Sequence, residues 1–417
     1  MKIELVTIGD ELLLGFTVDT NAAHIARQLA AIGVEIQRRI TVGDESGAIA
    51  AAVRDGLDRA GAVITTGGLG PTSDDLTKPS IAALFGREMR FDEEHFAWMA
   101  DRWRKRFGRE IPTANRQQAM IPEGARKLRN NHGSAPGIWL EDERGRWVAM
   151  LPGVPREMRG MLSDTLLPII SERVTGGRVV RSRTLRTTGL AESLIAERVE
   201  AIEGGVPGAS LAYLPNVDGV DLRLTVRDLP ANEADRRLEL AVGRLHSAFA
   251  SDIYGEGDAD LAALVLEICR ARELTLAVGE SCTGGMVGER ITRIPGASAV
   301  FLGGVIAYEN DIKTSLLNVA PALLSEHGAV SESVAMAMAT GARTRTGAHI
   351  GIGVTGIAGP DGGTPEKPVG TVWIAVDISG RVQSALLASW GDRQEIRQRA
   401  AQASLNLVRR MLAAERT

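Results

Sequence analysis

Residues 279–285 read Gly-Glu-Ser-Cys-Thr-Gly-Gly and follow the apolar run Leu274 to Val278. A strand that breaks into a hydroxyl- and glycine-rich turn before a helix aims small side chains and backbone N–H groups at one point. That point suits an anion or a carbonyl under attack. Ser281 is the candidate nucleophile, and the backbone near Thr283, Gly284 and Gly285 is the candidate donor set for an oxyanion or a phosphate. A serine nucleophile needs a base. In Tyr308-Glu309-Asn310-Asp311-Ile312-Lys313 a lysine follows another predicted strand. Burial would lower its pKa toward neutrality and let it serve, with Tyr308 as a proton relay. Spacing alone favours an ordinary surface cation for Lys313. Thr355 and Gly356 open a further glycine-rich turn, Val354 to Gly363, and offer a hydroxyl and close backbone approach. Cys282 reads as a small buried filler in preference to a thiol nucleophile.

A second constellation lies upstream, in Gly67-Gly68-Leu69-Gly70-Pro71-Thr72-Ser73-Asp74-Asp75-Leu76-Thr77. Gly67, Gly68 and Gly70 let the backbone approach a ligand, and the N–H groups opening the next helix favour phosphate. Asp74 and Asp75 can hold a divalent cation against that phosphate. The plainer alternative is a tight turn with an aspartate cap. Thr72 and the paired acids tip the balance to a nucleotide or phosphate site. Gly9-Asp10-Glu11 and Val42-Gly43-Asp44-Glu45 are acidic turns that also follow predicted strands. In a doubly wound sheet the ligand crevice lies beyond the strands' carboxyl ends, so the three turns are expected to converge.

The positioning elements follow from periodicity. Ile3 to Ile8, Val34 to Ile40 and Ala62 to Thr66 read as strands; Asn21 to Ile32 and Ser46 to Ala60 read as helices. This βαβα order predicts a parallel sheet with helices on both faces. Arg156 to Leu167 is expected to close the unit. After Gly176-Gly177 come a strand from Val179 to Thr187, a helix from Leu190 to Ile202, strands at Leu211 to Leu214 and Asp221 to Val226, and a helix from Asn232 to Phe249. The third segment has helices at Leu261 to Arg270, Met286 to Ile294 and Arg393 to Leu412. Its strands are at Leu274 to Val278, Ala299 to Tyr308, His349 to Thr355 and Gly370 to Asp377. The expected domains are 1–172, 173–256 and 257–417: a doubly wound α/β domain, a small α+β domain and a C-terminal α/β domain.

Composition bounds the partners. The 417 residues are 44% hydrophobic and 24% charged, as in water-soluble globular proteins, and the net charge of −4 gives no drive toward nucleic acid or anionic membranes. No apolar run reaches the roughly 18 residues of a spanning helix. The N-terminus reads as a first strand and not a signal peptide. Two cysteines, Cys269 and Cys282, make neither a disulfide framework nor a metal spacing, so a cytoplasmic protein is expected.

Four stretches in order, Thr65 to Thr77, Pro152 to Met158, Glu280 to Gly285 and Gly356 to Gly363, resemble the CinA family. The likeness runs nearly end to end and is weakest between about 175 and 255. It implies that the N-terminal segment is similar to the molybdopterin-binding fold of MogA and MoaB. It also implies an ADP-ribose pyrophosphatase there that depends on a divalent metal (Mg, Mn or Co), is aided by potassium, and uses Asp44 and Asp75. The C-terminal segment is similar to nicotinamide mononucleotide deamidase, which needs no cofactor. That enzyme's serine, tyrosine and lysine map onto Ser281, Tyr308 and Lys313. Its pocket hydroxyl and arginine map onto Thr355 and onto Arg397 or Arg393. The resemblance further implies small-molecule nucleotides as partners and a homodimer. The middle unit, KH-like in its element order, is expected to be a spacer or dimer contact without a nucleic-acid clamp. The rival reading is a nucleotide- or molybdopterin-binding protein that acts with partners in competence or DNA damage, one or both sites not catalytic.

Overall fold

The computed structural model describes residues 1–174, 178–202, 204–206 and 208–414. The backbone packs as two compact units, Met1–Arg181 with Val226–Arg236, and Ser182–Thr225 with Arg237–Thr417. The first unit runs β1 (Lys2–Ile8), α1 (Asp10–Leu13), α2 (Thr20–Ala31), β2 (Glu35–Val42), α3 (Ser46–Ala60), β3 (Ala62–Thr66) and α4 (Thr77–Leu84). It continues with β4 (Met89–Phe91), α5 (Glu93–Phe107), β5 (Met120–Pro122), β6 (Arg126–Leu128), β7 (Gly137–Glu141), β8 (Trp147–Leu151), α6 (Pro155–Met161) and α7 (Leu167–Arg173).

The main sheet has the order β2-β1-β3-β8-β7-β6. Its first four strands are parallel. β7 and β6 are antiparallel, which the expectation of a wholly parallel sheet missed. Strand alternation explains the two-faced burial. Ile3, Leu5, Ile64, Ala149 and Leu151 pack with α2, α6 and α7 on one face. Val6, Ile8, Val63, Val148 and Met150 pack with α3 and α4 on the other. The closing helix extends past Leu167 to Arg173, with one π-helical turn, Leu162–Leu166, between α6 and α7.

The middle sheet, in the order β10-β11-β9-β12, is built from β9 (Arg178–Thr187), β10 (Ser210–Asn216), β11 (Gly219–Pro230) and β12 (Ile253–Glu256). The helices α8 (Glu192–Glu200) and α9 (Ala231–Phe249) are interspersed with these strands along the chain. The Gly176-Gly177 boundary lies outside the described residues. The reading of this unit as lacking a clamp needs correction from the sequence itself: Gly205 and Gly208 have Gly-x-x-Gly spacing between α8 and β10. Pro207, inside that spacing, lies outside the described residues.

The remainder comprises α10 (Leu261–Ala271), β13 (Leu276–Glu280), α11 (Met286–Thr292), β14 (Phe301–Ile306), α12 (Asn310–Leu317), α13 (Pro321–His327) and α14 (Glu332–Thr346). Then come β15 (Ile350–Gly356), β16 (Thr371–Ile378), β17 (Arg381–Ala388) and α15 (Arg393–Ala414). The sheet order is β14-β13-β15-β16-β17, with β14, β13 and β15 parallel and the last two strands antiparallel. Among the described residues no helix is long and apolar enough to cross a membrane.

In β15 the apolar Ile350, Ile352 and Val354 enter the core shared with α10 and α15. Gly351 and Gly353 alternate with them and face α14. A Cβ on Gly353 would sit 2.2 Å from the Ala335 carbonyl oxygen, and one on Gly351 2.0 Å from that of Ala339. The helix therefore lies directly on strand backbone. Gly353→Ala is expected to destabilise this unit by about 1–3 kcal/mol through overpacking. Thermal unfolding checks this, and an unchanged melting temperature counts against the close approach.

Candidate functional site

The C-terminal residues converge because three parallel strands end together. Glu280 pairs in register with Ile306 and with Val354, so Ser281, the Ala307-Tyr308 step and Thr355 stand side by side beyond the strand ends. The Ser281 N–H donates to the Val354 carbonyl at 2.9 Å, and Ala307 N–H to Glu280 O at 2.7 Å. The Ser281 hydroxyl has no hydrogen-bond partner among the described residues. Lys313, on α12, is only 2% exposed, and its Nζ donates to the Tyr308 carbonyl at 2.8 Å. Burial lowers the Lys313 pKa, and its charge is felt at Cys282, beside Ser281. Tyr308 is 56% exposed, and its hydroxyl accepts from Arg393 at 3.0 Å. Arg393 also donates to the Gly359 carbonyl at 2.6 Å. Arg397, one turn along α15, grips the Thr283 carbonyl through Nη2 at 2.8 Å. Thr355 donates its hydroxyl proton to Ala329 O at 2.8 Å, so toward a ligand it can only accept.

The turn's backbone donors are distributed unequally. Glu280, 1% exposed, folds its carboxylate over the start of α11 and accepts from Gly285, Val287 and Gly288 N–H at 2.9, 3.1 and 2.8 Å. Gly284 N–H closes the turn onto Ser281 O at 3.0 Å. Of the donors expected near Thr283, Gly284 and Gly285, only the Thr283 N–H therefore stays available. Cys282 N–H joins it, for apart from the contact of Cys282 N–H with its own thiol neither donates to a protein acceptor among the described residues. The Thr283 hydroxyl is buried without a partner. Cys282 lies in the apolar core, and burial pushes its thiol up to about 12, as befits a filler.

In the first unit the three acidic turns meet at a cavity of about 440 Å³ beyond the ends of β1, β2 and β3. Gly67, Gly68, Gly70, Asp44, Asp74 and Asp75 line it; Thr72 stands beside them, bonded to Asp75. Gly67, at φ 112°, has no room for a side chain, since a Cβ would sit 2.1 Å from Ile8 O. Asp75 accepts from Gly70 N–H at 2.7 Å, Thr72 N–H at 2.8 Å and the Thr72 hydroxyl, and so holds the glycine turn closed. Asp44 and Asp10 exchange backbone-to-carboxylate bonds at 3.0 and 3.3 Å. Burial, with the Asp10, Glu11 and Asp74 carboxylates adding to it, raises the Asp44 pKa. Glu11, Asp19, Asp44, Asp74, Asp75 and Glu157 line the cavity, and among the described residues no lysine or arginine does. Among the described residues no three His, Cys, Asp or Glu side chains already form a metal-holding group. A separate cavity of about 530 Å³, lined by Arg54, Phe85, Arg87 and Arg146 among others, contains none of the candidate residues.

Two residues at these sites, and one buried in the helix after the glycine turn, were not foreseen from sequence. Glu280 stands next to Ser281, and a carboxylate ahead of a helix start is a capping signal. Asn21 lines the acidic cavity and donates to Gly153 O at 2.6 Å, while its own side-chain oxygen is buried without a partner. Lys78 donates to the Gln117 and Gln118 carbonyls at 2.9 and 3.0 Å, and burial lowers its pKa to about 8. Its spacing to Ile81 and Ala82, on the apolar face of α4, was the available clue.

Family profiles match the chain in three places: a "Probable molybdopterin binding domain" at residues 4–172, a "Damage-inducible protein CinA KH domain" at 182–255, and a "CinA C-terminal domain" at 258–412. A CinA-like protein of Gemmatimonas aurantiaca is 62% identical over 100% of this chain and 97% of its own length. One from Chlorobaculum tepidum is 40% identical over 97% of each chain. Among solved structures, the competence/damage inducible protein CihA from Agrobacterium tumefaciens is 38% identical over 38% of this chain and 94% of that one, with a TM-score of 0.35.

The raised thiol pKa values make a chemical prediction. With Cys282 at about 12 and Cys269 at about 11, alkylation of the folded protein should stay slow and gain little between pH 7 and 9. Mass spectrometry after iodoacetamide treatment reads this. Rapid labelling of Cys282 in that range would revive the thiol nucleophile.

Proposed function

The chain belongs to the CinA family, and on that premise we propose that its C-terminal site is a nicotinamide-nucleotide amidase of the serine–lysine type. The observation that carries this reading is the capped start of α11. With Glu280 taking the helix-opening N–H groups, the turn is unsuited to cradle a phosphate. What it presents is the Ser281 hydroxyl and the N–H groups of Cys282 and Thr283. Ser281 Oγ attacks the carboxamide carbon of nicotinamide mononucleotide while neutral Lys313 accepts the hydroxyl proton, directly or through Tyr308. The Cys282 and Thr283 N–H groups donate to the oxyanion. Collapse breaks the C–N bond, and the proton held by Lys313 leaves with ammonia. Water, deprotonated by the same lysine, then cleaves the acyl-enzyme to nicotinate mononucleotide and restores Ser281. The pyridinium charge makes the amide carbon more electrophilic, and Arg393 and Arg397 supply positive charge toward the anionic end.

For the first unit we propose hydrolysis of the ADP-ribose pyrophosphate bond, supported by the charge of its cavity. Carboxylates without a lysine or arginine beside them in the described lining repel a diphosphate, and a divalent cation between the two would offset that repulsion. Asp44, crowded by Asp10, Glu11 and Asp74, and Asp74 itself would hold that cation, which neutralises phosphate charge and activates water. Asp75 holds the glycine turn in shape. The rival reading, binding of a nucleotide or molybdopterin without turnover, rests on the same cavity.

Ser281→Ala should reduce ammonia release to background while Cys282→Ala retains it, and the opposite pattern would sink the serine assignment. Lys313→Met should lose about 10²- to 10⁴-fold in kcat/KM. Because the neutral amine grows as pH rises through a pKa below the usual 10.5, wild-type kcat/KM should climb with pH on that limb, and Lys313→Met should lack the climb. For ADP-ribose cleavage, Asp44→Asn should abolish metal-dependent turnover. Unchanged metal dependence in that variant removes Asp44 from the site.

A further inference from the structure

Arg290 lies on α11, the helix that the Ser281 turn opens, and is 6% exposed. Its guanidinium reaches two other elements. One nitrogen donates to the Asp218 carboxylate at 3.1 Å, in the turn between β10 and β11 of the middle sheet. Another donates to Gln402 Oε1 at 2.6 Å, on α15. That helix carries Arg393, bonded to the Tyr308 hydroxyl, and Arg397, bonded to the Thr283 carbonyl. Farther along it, Arg409 donates to Ser251 O in the segment between α9 and β12. Asp218 is itself held in place: its N–H donates to Asn216 Oδ1 at 2.9 Å, and its carbonyl accepts from Thr188 at 2.8 Å. It supplies the only carboxylate bonded to Arg290 among the described residues.

We infer that Asp218 is a positioning residue for the amidase site, acting through Arg290 to hold α11 and α15 in register and so to fix the Ser281 turn. The physical reason is that a buried guanidinium needs its counter-charge. Without Asp218, Arg290 must turn toward water, and the helix start bearing Glu280's cap moves with it. The middle sheet then contributes to the C-terminal site and is more than a spacer. The kinetic consequence rests on the amidase reading; the structural one does not.

The test uses the full-length chain with Asp218→Asn, with Val217→Ala as a control in the same turn, and with the pair Asp218→Asn/Arg290→Met. Ammonia release from nicotinamide mononucleotide and hydrogen–deuterium exchange at residues 281–292 are measured on each. Asp218→Asn should lower kcat by roughly 10- to 100-fold at little-changed KM, as displaced catalytic groups do. It should also speed exchange in 281–292, with Val217→Ala matching wild type in both. The double variant should be no worse than Asp218→Asn, because both changes break one connection, and Asp218→Glu should restore part of the rate. Wild-type exchange and wild-type kcat in Asp218→Asn would overturn the inference, as would a fall in melting temperature with neither changed. If the wild-type protein releases no ammonia, the amidase reading falls, and exchange at 281–292 alone decides the role of Asp218.

Discussion

The Glu280 carboxylate, buried at the end of β13 and bonded to three N–H groups that open α11, is the interaction on which the C-terminal site depends. Strands that end under helix starts leave donors pointing into a crevice, and something negative must meet them. In many folds of this kind that partner is a ligand phosphate. Here the chain supplies it from the residue before the candidate nucleophile. The helix start becomes a fixed internal joint, and the residues between the cap and the helix, Ser281 to Gly284, are held as a bracket with few open donors. Lys313, Tyr308, Arg393 and Arg397 can then be arranged around a rigid serine.

In the first unit a carboxylate does similar work with a different outcome. Asp75 closes the glycine turn by taking the Gly70 and Thr72 donors, while Asp44 and Asp74 also line the cavity, with no lysine or arginine beside them in its lining among the described residues. Two aspartates that look equivalent in sequence thus divide into a scaffold and a charge reservoir. Asp75 accepts from the backbone N–H groups of two other turn residues, Gly70 and Thr72, whereas the exposed Asp74 meets only the Thr72 hydroxyl and its own N–H.

Long periodic elements were legible from the sequence, and the helix Ser46–Ala60 and strand Ala62–Thr66 coincide with the expectation residue for residue. Their apolar spacing is set by burial on a known side. The antiparallel strands β6 and β7 were not foreseen: β6, with three residues, has too few alternations to separate from loop, and β7, Gly137–Glu141, opens on a glycine and lacks the β-branched run of the equally short Ala62–Thr66. Helix α14 was missed for a related reason. It is rich in alanine and threonine and packs on glycine strand backbone, so it lacks the contrast between apolar and polar faces that marks an amphipathic helix. The site residues Ser281, Tyr308 and Thr355 were brought together by strand order alone. Glu280 and Asn21 were not foreseen, since their roles are defined by backbone groups that a sequence does not display.

A net charge of −4 conceals two opposite local fields. The first unit's cavity has six acids and, among the described residues, no lysine or arginine in its lining, so an anionic nucleotide there would be bridged by a cation or met by glycine-turn N–H groups. Around Ser281 the cationic side chains are Lys313, Arg393 and Arg397; of the nearby acids, Glu280 is bonded to the helix start it caps and Glu309 acts on Lys313. An anionic nucleotide there meets positive charge directly. Coulomb attraction between surface charges weakens with added salt, whereas a cation bound among carboxylates competes with protons for the same oxygens. The two sites should therefore answer differently to ionic strength and to acid, even where their ligands carry the same phosphate.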